Sequence, residues 1–415
     1  MREQLGTAFW RVWSASALSN LADGVLLTAL PLLAVRLTRS PTLVAGVTVA
    51  FGLPWLLFAL QAGALADRLD RRRTMALANA ARAAVMVALT VAVLADVASL
   101  PVLYAAAFGV GVAQTLVDTS AQSIVPALVP QGALSRANGR LYAAELTANQ
   151  FVGPPLGGLL AGIGIAWAFT TSAVGYGLAA VGLSLMAGSY RPARGGDRTT
   201  LRRDIAEGAG YLSQHRLLRT LAVMVGVGNL CFSATGAVLV LYVVGKGSAL
   251  GMNEAGFGLL LTTSAIGSLA GSMTADRVEQ RLGRAMLLRL SIAGGAVFAA
   301  VPAMTTNPWV VAVGFALGGY AIVLWNVVTV SLRQTIVPDR LLGRVNASYR
   351  LLAWGTIPIG GALGGVVAEA FGLRTVFLGS GVLVLCLLGL TRRTVTDATI
   401  EAALTRGGGD PIPNR

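Results

Sequence analysis

Three acids interrupt stretches of sequence that are otherwise apolar. Asp23 lies in SNLADGVLLTALPLL (19–33), Asp118 in GVAQTLVDTSAQS (111–123) and Glu145 in RLYAAELTANQF (140–151). At the centre of a membrane helix a charged carboxylate costs ~2.5–3.5 kcal/mol, so it persists where it faces water, pairs with a base or binds a proton. Such a group is suited to taking up and returning a proton. Asn20 stands one turn before Asp23 and shares its face. Arg82 and Arg350 are within apolar runs too, and either could neutralise Asp118 or Glu145. These three acids are the expected proton-coupling residues, with Asp23 foremost.

The elements that hold them must be membrane helices. Of the 415 residues, 55% are hydrophobic and 12% charged, with a mean hydropathy of +0.71. A soluble domain carries about 25% charged residues. Spanning ~30 Å of hydrocarbon takes roughly 20 apolar residues. Twelve runs qualify: 10–36, 42–66, 74–95, 100–125, 139–163, 167–188, 217–244, 252–275, 285–305, 308–331, 347–369 and 374–391. The first is too long for a cleavable signal peptide.

The net charge is +14, from 32 basic and 18 acidic residues, and Lys246 is the only lysine. With both termini on the cytoplasmic side, 28 of the 32 bases fall inside. The exceptions are Arg36, Arg39, Lys246 and Arg374. That bias is the positive-inside pattern, and one missed span would scramble it. The arginines therefore suit lipid head groups and topology, and no nucleic-acid partner is expected. Cys231, Cys386 and the single His215 form neither a metal-ligand spacing nor a disulfide framework, so no metal or cofactor is expected.

Polar segment 189–216 divides the spans six and six. Leu201, Ile205 and Leu212 share one face there, which predicts an amphipathic helix lying on the membrane surface. The organisation expected is a bundle over 1–188, a cytoplasmic linker over 189–216, a bundle over 217–395 and a cytoplasmic tail over 396–415. The halves repeat each other at an offset of 207 to 209. SNLADGV (19–25) pairs with GNLCFSA (228–234), and GALADR (63–68) with GSMTADR (271–277). PQGALSRANG (130–139) pairs with PDRLLGRVNA (338–347), and GPPLGG (153–158) with GGALGG (360–365). Parallel six-span repeats frame a central cavity. Asn20, Gln114, Asn149, Gln150, Asn229, Asn326, Trp325 and Trp354 would give it polar and aromatic surface. Asn326 is the repeat counterpart of Asp118.

The loop after the second span, GALADRLDRRR, resembles the G-x-x-x-D-R-x-G-R-R signature of the major facilitator superfamily. Gly63, Asp67, Arg68, Arg71 and Arg72 are in place, and Asp70 stands where the family usually has Gly. The second copy, with Asp276 and Arg277, is looser. The resemblance implies an all-α membrane protein of twelve transmembrane helices in two pseudo-symmetric bundles. Asp67 can dock on the helix N-terminus near Asn346, or on Arg350, as a latch between the halves. Gly153/Gly157 and Gly361/Gly365 have the spacing of close helix contacts, expected between the halves. In the family that stretch of the fifth span is often a mark of exporters.

SNLADG and LTRSPTLVAG (37–46) resemble the exporter branch that includes enterobactin efflux proteins. The resemblance implies a monomeric secondary transporter of the plasma membrane. Its expected action is proton-coupled export of a small amphipathic molecule: a drug, secondary metabolite or siderophore. The nearest string to a nucleotide-binding loop, VLYVVGKGS (240–248), lacks the first glycine, so no ATPase is expected. Two alternatives remain: a proton-driven nutrient importer on the same fold, and a membrane receptor that transports nothing. No nucleophile–base set appears among the spans, which disfavours an enzyme.

Overall fold

The computed structural model describes residues 5–66, 68–191 and 201–407. Asp67 lies outside the described residues, as does the tail beyond 407. Fifteen α-helices follow one another, and the only β feature among the described residues is an isolated bridge between Val244 and Met252.

The first membrane helices are α1 (Thr7–Leu37), α2 (Pro41–Ala66), α3 (Arg71–Leu94) and α4 (Leu100–Ile124). Next come α5 (Leu134–Glu145), α6 (Gly153–Ile163) and α7 (Ile165–Ser184), then the short α8 (Leu201–Gln214). The rest are α9 (Arg216–Val243), α10 (Glu254–Leu282), α11 (Arg284–Met304), α12 (Pro308–Ile336), α13 (Asp339–Phe371), α14 (Leu373–Thr394) and the short α15 (Asp397–Gly407).

Among the described residues, eleven helices are individually long and apolar enough to cross a membrane. The expected span at 139–163 is helical throughout but broken in three, α5 and α6 being joined by a π-helical turn over Leu146–Val152. The cause is local. Pro154 and Pro155 lack backbone N–H groups, so the carbonyls one turn earlier lose their α-helical donors. The backbone widens there, as π-turns do.

The described residues group into two compact units. One takes the residues through 191 together with Ala237–Thr262; the other takes 201–236 and 263–407. In the first, α1 is the hub. Val12 and Ala15 share a core with Met75 of α3 and Leu183 of α7, and Ala22, Val25 and Ala29 are buried farther along α1, which packs most extensively on α7 and α6. In the second, Leu221, Leu288, Leu332 and Val345 join α9, α11, α12 and α13 in one core. Ile163, Leu94, Met304 and Trp309 are 70–80% exposed. A water-soluble protein rarely shows contiguous apolar area on that scale, whereas lipid covers it.

Glycine makes two abrupt junctions possible. Gly283 (φ +74°) ends α10 and Gly372 (φ +85°) ends α13, in the left-handed region that other residues avoid. The next helix starts at once in each case.

The linker and tail each contain a helix packed on the second unit. The expected amphipathic helix is α8, though the side chains of Leu201 and Ile205 lie outside the described ones. Leu212 is buried, and the Tyr211 hydroxyl donates to the Ile336 carbonyl at 3.4 Å. Glu207 pairs with Arg344 at 2.5 Å. Helix α15 occupies what reads in the sequence as plain tail. Ile400 and Ala403 are buried, and the Asp397 carboxylate accepts from the Ala285 N–H at 3.3 Å, at the start of α11.

Candidate functional site

The polar residues of α1 and α3 fall on the faces these helices turn to each other. Ser19 and Asp23 are four apart on α1; Asn79 and Arg82 are three apart on α3. Arg82, in the middle of α3, is fully enclosed at 0% exposure, and Asp23 is 8% exposed. The two form a salt bridge through Nη2 and Oδ1. Nη2 also donates to Gln114 Oε1, and to the Tyr176 hydroxyl at 3.1 Å. Nη1 donates to Ser19 Oγ at 2.9 Å and Asn79 Oδ1 at 3.4 Å. The Tyr176 hydroxyl donates to Asp23 Oδ1 at 2.6 Å, while its ring carries the guanidinium 4.0 Å from its centroid. These contacts offset much of the cost of taking the charge out of water, although Arg82 Nε finds no hydrogen-bond partner among the described residues.

The site differs from the sequence reading in its pairing. Arg82 was expected to neutralise Asp118 or Glu145; it neutralises Asp23. Asp23 is thus an ion-paired residue within the first unit, not a lone acid facing water. Asp118 is half-buried, and its hydrogen-bond partner among the described residues is Gln114, whose Nε2 donates to Oδ2 at 3.2 Å. One amide therefore bridges the ion pair to the second acid. Glu145 is exposed at the end of α5, close enough to act electrostatically on Asp118. Asn149 and Gln150 follow it in the π-turn, half-buried and exposed. Asn20 is half-buried and spends its amide N–H on the Ser16 carbonyl at 2.9 Å.

The expected cavity residues of the second half lie in the second unit. Asn229 Nδ2 donates to the Ala353 carbonyl at 2.7 Å, tying α9 to α13. Trp325 packs on the core of that unit, and Asn326, the counterpart of Asp118, is exposed. Arg350 lies over the Trp354 ring at 4.7 Å.

Gly153 and Gly157 pack on α1 of their own half, which corrects the expectation that these two lie between the halves. A Cβ on Gly153 would come within 2.5 Å of Gly24 Cα, and one on Gly157 within 2.6 Å of the Val25 carbonyl. The matching pair on α13 is Gly360 and Gly364, one residue earlier than the spacing suggested. They sit against Leu230 and Ala234 of α9.

The expected latch arginines have local partners. Arg71 donates to the Ser123 carbonyl at 2.7 Å and Arg72 to the Met186 carbonyl, at the ends of α4 and α7. Cations at helix C-termini complement the dipole. Gly63 lies in the last turns of α2, and Arg68, Asp276 and Arg277 are exposed. Asp70, the departure from the signature, caps α3 by accepting from Arg73 N at 3.0 Å. Its second oxygen accepts from Ser189 Oγ at 3.0 Å and Tyr190 N at 2.9 Å. An acid here gains three donors that a glycine could not use.

Tyr176, Ser19 and Asn79 were not singled out from the sequence. For Ser19 and Asn79 the signal was there: polar residues one turn from a buried charge. Tyr176 carried none, being one aromatic residue in an apolar helix.

The family model of transmembrane secretion effectors, in the major facilitator superfamily, matches residues 5–404. The chain belongs to that family. This transporter is 30% identical over 399 residues to the multidrug efflux pump Tap of Mycobacterium tuberculosis (strain ATCC 25618 / H37Rv), covering 90% of each chain. It is 28% identical over 409 residues to the enterobactin exporter EntS of Citrobacter koseri, covering 93% of each. The solved structure of the nucleoside transporter NupG superimposes with a TM-score of 0.74 at 13% identity, over 94% of this chain and 99% of that one. That likeness speaks for the fold. The transporter is thus a multi-pass membrane protein of the major facilitator fold, with exporters among its relatives.

Proposed function

We propose that this transporter exports small amphipathic organic molecules across the plasma membrane in exchange for protons, by alternating access. The reading rests on one observation: a buried Asp23–Arg82–Tyr176 cluster joined through Gln114 to a second acid, Asp118. A structural ion pair needs no second carboxylate. An acid outside the pair can take up and release a proton while the packing of the pair survives, which suits a proton-coupled carrier. The relatives named as efflux pumps favour export over import. The energy is in scale, since 100 mV is worth about 2.3 kcal/mol per charge moved.

The test is transport in everted membrane vesicles with a panel of fluorescent hydrophobic compounds, the pH gradient intact or collapsed. Uptake of at least one compound should require the gradient and fail in Asp118→Asn and Asp23→Asn. Uptake indifferent to the gradient, or full activity in both variants, would remove the coupling.

A further inference from the structure

Helices α9 and α10 are held by different partners along their lengths. Their middles are fastened inside the second unit. Asn229 and Ser233 of α9 donate to the Ala353 and Ile357 carbonyls of α13, both at 2.7 Å. Ser268 of α10 donates to the Gly319 carbonyl of α12 at 3.2 Å. The ends expected outside, Ala237–Thr262 with the turn between the helices, group instead with the first unit.

Three features hold that segment. Arg36, at the end of α1, pairs with Glu254 at 3.1 Å and donates to the Ala161 carbonyl at 2.8 Å. Arg39 donates to the Val244 carbonyl at 3.3 Å, and a Cβ on Gly245 (φ +98°) would come within 2.8 Å of its Nη2. Gly158 of α6 and Gly258 of α10 let two backbones meet, since a Cβ on Gly258 would overlap the Pro154 carbonyl. The turn itself is ordered by the bridge between Val244 and Met252, with Met252 N donating to the Val243 carbonyl at 2.9 Å. Arg36 and Arg39 are two of the four bases that fall outside, against the bias that governs the other 28. Holding this segment gives both a reason to be there.

In α9 the boundary between the units falls after Gly236. Gly236 is exposed, and a Cβ there would meet nothing within 4 Å, so no close packing calls for glycine. Inside a helix glycine weakens the structure and leaves the backbone at its freest. In α10 the boundary follows Thr262, whose hydroxyl donates back to the Gly258 carbonyl at 3.0 Å, a bond that bends helices.

We propose that Ala237–Thr262 is a hinged flap on the outer side of the transporter, with Arg36–Glu254 as its latch and Gly236 as its hinge. The flap lifts by bending at Gly236 and Thr262 while the middles of α9 and α10 stay on α13 and α12. The latch side chains are 41% and 28% exposed, and an ion pair in contact with water is easily broken. A flap opened in every cycle needs a latch of that kind. The device rests on alternating access alone, whichever way cargo moves and whether or not protons drive it.

Labelling of intact cells with an impermeant maleimide, in a Cys386→Ser background, tests this without a substrate. Val243, in the last turn of α9, is fully buried, so Val243→Cys should react slowly. Arg36→Glu, or the milder Glu254→Gln, should raise that rate roughly 3–5-fold, the factor that loss of an exposed ion pair allows. The exchange Arg36→Glu/Glu254→Arg should bring it back. Adding Gly236→Ala to Arg36→Glu should lower the rate again, because alanine stiffens the helix without touching a neighbour. Lys246→Cys, exposed on the same turn, should react equally in every variant, which separates a lifted flap from lost folding. A Val243→Cys rate unmoved by Arg36→Glu and Glu254→Gln would overturn the latch, and one unmoved by Gly236→Ala would overturn the hinge. The vesicle assay keeps the readings apart. Gradient-indifferent uptake removes the coupling and leaves the flap, whereas unmoved labelling removes the flap and leaves export standing.

Discussion

Arg82 decides how the first unit is held together. Removing it as Arg82→Met leaves a buried carboxylate without its cation, and breaking such a pair costs roughly 3–5 kcal/mol. A lower thermal unfolding midpoint is expected for Arg82→Met in detergent. The double change Asp23→Asn/Arg82→Met should recover much of it, because neither charge is then stranded. Asp70 offers a pH-dependent case. Burial pushes its carboxyl up, but the Arg73 and Tyr190 N–H groups, the Ser189 hydroxyl and the Arg72 charge outweigh that and hold it below 3.8. A depressed folded value means the stabilisation is present above the unfolded value and is lost as pH falls through the folded one. Asp70→Asn should lower the thermal midpoint at pH 7 by an amount equivalent to about 1–3 kcal/mol, because Asn keeps the cap on Arg73 N but its amide nitrogen cannot accept from Ser189 and Tyr190. The gap from wild type should close in strong acid. Asp23, Asp118 and Gln114 were readable from sequence, because a polar residue in an apolar run is conspicuous. Their pairing was not. Which acid faces Arg82 depends on how α1, α3 and α4 rotate against one another, and periodicity leaves that angle open.

Helix ends and crossings show the same division. Eleven of the twelve expected spans appear with ends displaced by up to several residues, since hydropathy reports the hydrocarbon layer and helices run past it. The excess is largest for α13, which begins at Asp339 where 347 was expected. The π-turn was legible only as a Gly-Pro-Pro string. Helix α15 was missed because, at 11 residues, it is too short to register as a span. At this scale the test is the α1–α6 crossing. Gly153→Leu drives a side chain into Gly24, and overpacking typically costs 1–3 kcal/mol. Backbone lines the site, so little can move aside. The variant should express poorly and elute as aggregate on size exclusion, whereas Gly177→Leu on α7, which has open space at its Cβ, should behave as wild type.

For the whole molecule, the arginine bias makes a topological forecast. The turn around Lys246 is expected outside and α15 inside. In a Cys386→Ser background, Lys246→Cys should react with an impermeant thiol reagent on intact cells. A cysteine at Glu401 should react only after permeabilisation. The reverse pattern would invert the protein in the membrane. The internal repeat carried the six-plus-six organisation, yet Ala237–Thr262 group with the first unit. Arg36 explains part of this, meeting both Glu254 at 3.1 Å and the Ala161 carbonyl at 2.8 Å. So does Gly158, where a Cβ would come within 2.5 Å of the Glu254 carbonyl. Contacts of that kind leave no trace in a hydropathy profile.

The burial of Arg82 also bears on how the chain is made. Helix α3 emerges from the ribosome with a charge at its middle that opposes insertion by ~2.5–3.5 kcal/mol. The counter-ion was synthesised 59 residues earlier and is already waiting in α1. Tyr176 arrives 94 residues later to close the cage. Asp23 is thus already in place to neutralise that charge when the third helix enters the bilayer, before any cargo is met.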